Sequence, residues 1–108
     1  MKSKLYLKKD PTLGDLQRYV AAMTRERGFK KETIPELFML FLEECGEMAK
    51  AARKAYGMKR DKKSEEFNLS HEAVDVLIYL LDICNHFGTD LEAAFREKEE
   101  INRKRVWK

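Results

Sequence analysis

The sequence predicts an all-α protein built as a four-helix bundle, and three observations lead there. Apolar residues recur at helical spacing along most of the chain. Gly and Pro are scarce, at 5 and 2 residues, and charged residues make up 38% beside 44% apolar, the balance of helices with charged outer faces. At 108 residues the chain suits one domain, 1–108, rather than two with separate cores.

The first helix is expected from Leu13 to Arg27, where Leu13, Leu16, Tyr19, Val20 and Met23 trace one stripe. Thr12 can cap it, with Asp15 three positions on, and Gly28 ends it. The second starts at Thr33, which forms the capping-box pattern with Glu36, and continues to Tyr56, before Gly57. Residues 58–69 are charged, lack a period and predict a connecting loop. The third helix begins near Ser70, read as its cap, and runs to Phe87; it is almost wholly apolar from Ala73 to Cys84 and so is buried on most sides. The fourth opens with Thr89 and Glu92 as a second capping box and extends to Arg105, with Gly88 as the tight link. Short links favour antiparallel neighbours, hence the bundle. The apolar excess of the second and third helices exceeds what a small monomer hides, so a homodimer or homotetramer is expected.

The formal charge is +3, with basic ends: Lys2, Lys4, Lys8 and Lys9 in the segment 1–11, and Arg103, Lys104, Arg105 and Lys108 at the close. A nucleic-acid partner would rest on these ends alone and is not expected. Cys45 and Cys84 lie in apolar helical patterns without metal-type spacing, which suits buried free thiols in a reducing cytoplasm. No apolar run reaches the ~20 residues of a membrane span, and nothing at the start resembles a signal peptide.

Carboxylates interrupt the two most apolar helices. Glu44 falls in line with Leu37, Leu40, Phe41, Met48 and Ala51, with Glu47 at i+3, while Glu43 leans toward the polar side. The third helix repeats the oddity: Glu72 and Asp75 are three apart, and Tyr79, Asp82 and His86 continue their line. Such acids are surface groups, or are salt-bridged by Lys50, Arg53 and Lys54, or hold a hard divalent cation, Mg²⁺ or Mn²⁺. A di-iron bundle would want Glu-x-x-His, whereas His71 precedes Glu72. On the fourth helix Lys98, Asn102 and Arg105 share a face that suits phosphate oxygens.

"EECGE", then "EAVDVLIYLL", then "TDLEAAFREKEEINRKR" resembles the all-α nucleoside triphosphate pyrophosphohydrolases of the MazG-like superfamily, nearest its small dCTP-pyrophosphatase-like branch. The likeness covers about residues 13 to 107. It implies an oligomeric helical bundle that hydrolyses a nucleoside triphosphate to the monophosphate and pyrophosphate, clearing nucleotide pools with Mg²⁺. By this resemblance Glu44, Glu47, Glu72 and Asp75 are metal ligands, and Glu43 or Glu47 takes the proton of the attacking water. Lys98, Asn102 and Arg105 match phosphate-contacting positions, Tyr79 lines the substrate pocket and Phe29 stacks on the base. Gly46 would let a neighbouring helix approach beside the ligands. Rival expectations are a non-catalytic nucleotide- or metal-binding regulatory protein and the sibling phosphoribosyl-ATP pyrophosphohydrolase activity.

Overall fold

The computed structural model of the chain describes residues 2–57 and 68–106. Among them are four α-helices and no strand: α1 Leu13–Glu26, α2 Ile34–Ala55, α3 Leu69–His86 and α4 Leu91–Lys104. A 3₁₀ turn at Phe29–Lys31, absent from the sequence reading, joins α1 to α2. The expected connection at 58–69 lies outside the described residues except for Asn68 and Leu69.

The starts of α1 and α2 follow the expected caps, each as a capping box. Thr12 Oγ1 accepts the Asp15 N–H while Asp15 accepts the Thr12 N–H, and Thr33 and Glu36 repeat this. The other two starts differ. Asn68, not Ser70, caps α3 by accepting the His71 N–H, so the helix begins one residue before the expected cap. Asp90, not Thr89, caps α4 by accepting the Ala93 N–H. Thr89 is committed elsewhere. Its N–H donates to Cys84 O and that of Gly88 to Asn85 O, with Gly88 at φ 66°, so Thr89 completes the Schellman closure of α3. Arg105 is the extended C-cap of α4 rather than part of the helix, so the helical register does not hold it in line with Lys98.

α3 is the centre. α2 packs along it most extensively, α1 lies against it too, and α4 rests on α1. The main cluster is Val20, Met23 and Leu81, with Leu16, Leu77 and Ile78 partly buried around it. Each such side chain contributes about 1.5–3 kcal/mol when fully buried. Leu37 and Ala51 are the buried residues of α2, so its inner face is the stripe that the sequence placed beside Glu44. α4 has no buried residue, which leaves the assembly more open than a four-way bundle.

Gln17 holds the open side together. It falls on the stripe of Leu13 and Val20 and is buried. Its Nε2 donates to Thr89 O, its Oε1 accepts the Leu91 N–H at 3.0 Å, and its own carbonyl accepts from Asn85 Nδ2 at 3.1 Å. The N-terminal segment runs back beside α1: Ser3 Oγ and the Lys4 N–H donate to Glu26 at 2.9 and 3.1 Å, and Lys8 pairs with Asp15 at 3.1 Å. Three of its residues are therefore tethered to α1, and the Lys8 charge is already engaged. Cys84 is buried and Cys45 half-buried, both free thiols. No helix among the described residues is long and apolar enough to cross a membrane.

Candidate functional site

The acids are brought together because α2 and α3 pack on the faces that carry them. Glu44 sits midway along the buried stripe of α2, and Glu72 and Asp75 project one turn apart from the start of α3. Carboxylate oxygens of Glu44, Glu72 and Asp75 all lie within 4.8 Å of one another. No lysine, arginine or histidine forms an ion pair with them among the described residues. Two unit charges ~4 Å apart repel by about 4 kcal/mol at the effective dielectric of a protein surface, so the crowding favours a proton or a cation here, less so at the exposed Asp75.

The electrostatics of Glu44 report the crowding. Burial pushes its carboxyl above the ordinary value, and the charges of Asp75, Glu72, Glu43 and Glu47 push it further. All five predicted acids therefore act at one place, though not alike. Glu43 is exposed and stands outside the trio. Glu47 also stands outside it, and its Oε2 is shielded from solvent with no hydrogen-bond partner among the described residues. An all-oxygen donor set with a stranded oxygen beside it fits a hard divalent cation.

Beside the trio opens a cleft of about 220 Å³ between α1, the 3₁₀ turn, α2 and α3. Glu44, Asp75 and Tyr79 line it, and so does Phe29, which the 3₁₀ turn carries. Burial raises the Tyr79 phenol above its ordinary value, and the charges of Glu44, Glu32, Glu43 and Asp75 add to that. Its hydroxyl therefore stays protonated as a donor.

Four further polar residues line this cleft without a role from sequence: Thr24, Arg27, Glu32 and Asp82. Asp82 was visible as the continuation of the Glu72–Asp75 line. Thr24 and Arg27 follow Val20 at i+4 and i+7, a spacing that carries them toward the core side. Glu32 precedes the α2 cap in an aperiodic link, where no pattern points to it.

Lys98, Asn102 and Arg105 are placed elsewhere. They belong to α4 and its C-cap, and none of them lines the cleft of the same chain. Gly46 likewise departs from expectation: a Cβ there would meet nothing within 4 Å, so no neighbouring helix approaches it among the described residues. It lies at i+4 from Leu42 on the outer face of α2, where Phe38, Met39 and Leu42 are exposed. No protein-family model matches the chain, and no curated protein does.

Proposed function

We propose that the protein is a Mg²⁺-dependent nucleoside triphosphate pyrophosphohydrolase, cleaving the bond between the α-phosphorus and the bridging oxygen to give a nucleoside monophosphate and pyrophosphate. The observation that supports this best is the trio Glu44, Glu72 and Asp75, without an ion pair among the described residues, beside a cleft walled by Tyr79 and Phe29. Glu44, Glu72 and Asp75 would hold the cation, with the stranded Glu47 Oε2 as a fourth oxygen. A bound divalent ion supplies neutralisation of phosphate charge and acidification of water. Glu47 or Glu43 takes the proton of the water that attacks the phosphorus. Tyr79 donates a hydrogen bond toward the phosphate or sugar, and Phe29 offers an aromatic face to the base.

Homo-oligomeric assembly belongs to this proposal. The cleft is smaller than the ~300 Å³ at which small-molecule pockets begin and has no residue of α4 in its wall. The Phe38–Met39–Leu42 stripe leaves an apolar surface on α2 for a second copy. In an assembly, Lys98, Asn102 and Arg105 of one chain meet the triphosphate held by another and stabilise charge on the leaving pyrophosphate.

The test is release of pyrophosphate from a panel of canonical and modified nucleoside triphosphates, with Mg²⁺ and with chelator. Metal-dependent release of pyrophosphate is expected. Binding without release across the whole panel would make the protein a nucleotide- or metal-binding regulator instead.

A further inference from the structure

The last residue of α1 stands in an electrostatically poor place. Glu26 sets a carboxylate at the negative end of the helix dipole, where a cation is favoured. Both of its oxygens are nevertheless engaged, and from far away in sequence: Oε2 accepts the Ser3 hydroxyl at 2.9 Å and Oε1 accepts the Lys4 N–H at 3.1 Å. Ser3 Oγ in turn accepts the Leu5 N–H at 3.1 Å. Leu5 is half-buried against the cluster of Val20, Met23 and Leu81. Residues 3–5 thus grip the end of α1 twice, by a polar clamp on Glu26 and an apolar peg on the cluster.

That end leads directly into the cleft. Met23 belongs to the cluster and also lines the cleft, and its carbonyl accepts the N–H of Arg27, the C-cap of α1, at 2.9 Å. Arg27 lines the cleft too. Gly28 then turns the chain at φ 76°, a conformation that glycine takes without strain, and Phe29 enters the same wall. Glu26 does not line the cleft itself, so it acts on the wall through its neighbours. The last turn of a helix is short of intrahelical bonds and frays first, which makes an outside grip on it consequential.

We propose that residues 3–5 are a detachable strap that holds the rim of the cleft, with Glu26 as its positioning residue. Ser3, Lys4 and Glu26 are exposed, so water competes for the same donors and acceptors and the clamp opens reversibly. Attached, the strap keeps Arg27 and Phe29 in the wall; released, the last turn of α1 frays and both withdraw. Its consequence for substrate rests on the nucleotide reading above.

The experiment is hydrogen exchange of the full chain without nucleotide, followed across residues 23–29 and along α3. Glu26→Ala removes both bonds and also puts the best helix former in place of an acid at a helix C-terminus. Helix chemistry alone therefore predicts slower exchange there, whereas the strap predicts faster. Ser3→Asp breaks the clamp from the other side, carboxylate against carboxylate. Each variant is expected to quicken exchange at residues 25–29 at least about fivefold with α3 unchanged. Adding Glu26→Gln to Ser3→Asp, which sets an amide donor before the new acid, should restore it to within about twofold of wild type. Wild-type or slower exchange in both single variants overturns the proposal, as does equal quickening along α3 or a double variant that stays fast. With the triphosphate that releases pyrophosphate fastest, Glu26→Ala should raise KM at least about threefold and leave kcat within about twofold. An unchanged KM beside quickened exchange overturns the link to the cleft. Absence of release from every triphosphate refutes the hydrolase alone, because exchange at Arg27 and Phe29 judges the strap without it.

Discussion

Glu92 of α4 caps another helix: its Oε1 accepts the backbone N–H of Gly14, in the first turn of α1, at 2.9 Å. The first N–H groups of a helix have no intrahelical acceptor, and a carboxylate there also meets the positive end of the helix dipole. Thr12 and Asp15 satisfy two donors of this start locally, and Glu92 satisfies one from 78 residues away. Since α4 buries no residue of its own, this bond is one of its few firm attachments.

Glu92→Ala should therefore destabilise the protein by about 1 kcal/mol, the usual cost of a lost cap. Urea unfolding would measure it, and hydrogen exchange should quicken at Gly14 and along α4. An unchanged unfolding midpoint would show that solvent serves Gly14 equally well.

The raised Glu44 carboxyl sets a pH dependence. Its folded form binds the proton more tightly than the unfolded chain does, so its contribution to stability declines as pH rises from the ordinary 4.5 through the raised value. With chelator present, Glu44→Gln should melt higher than wild type at neutral pH, the difference shrinking toward pH 4.5. Asp15 and Glu36 carry lowered carboxyls and act oppositely, losing stability as pH falls, but they cancel in this comparison. Saturating Mg²⁺ should raise the melting temperature of wild type and leave Glu44→Gln nearly unmoved.

Glu47→Gln and Asp75→Asn test the chemistry without changing shape. Each should lower pyrophosphate release by at least about a hundredfold, Glu47→Gln by loss of a general base and Asp75→Asn by loss of a cation ligand, with circular dichroism unchanged. Wild-type rates in both would mean that the acids serve the fold alone.

Gly46→Ala separates one chain from an assembly. In an isolated chain the new methyl enters open space and the helix gains about 0.5–1 kcal/mol. If a second copy packs its helix over the outer face of α2, the methyl obstructs it instead. Light scattering should then show dissociation at a concentration where wild type remains assembled.

The helices were legible because periodicity and local chemistry agree: Thr12 with Asp15 and Thr33 with Glu36 need only four consecutive residues to recognise. The α3–α4 link misled because Thr89 and Glu92 fit the same pattern, yet other partners claim both, the end of α3 at Cys84 O for one and the distant Gly14 N–H for the other. Of the site, the meeting of Glu44, Glu72 and Asp75 could be read from carboxylates on apolar stripes. Glu32 could not, since its place depends on how a 3₁₀ turn brings the chain past Phe29. The position of Lys98, Asn102 and Arg105 away from the cleft was equally hidden, because a shared helix face does not say which neighbour the helix chooses.

That choice of neighbour is made by the Gln17 amide. Because it grips both the end of the α3–α4 turn and the first residue of α4, the fourth helix takes its bearing from α1. The far end of α1 carries Thr24 and Arg27 into the cleft wall. The first helix thus joins the start of α4, held near its own beginning, to the pocket wall at its end.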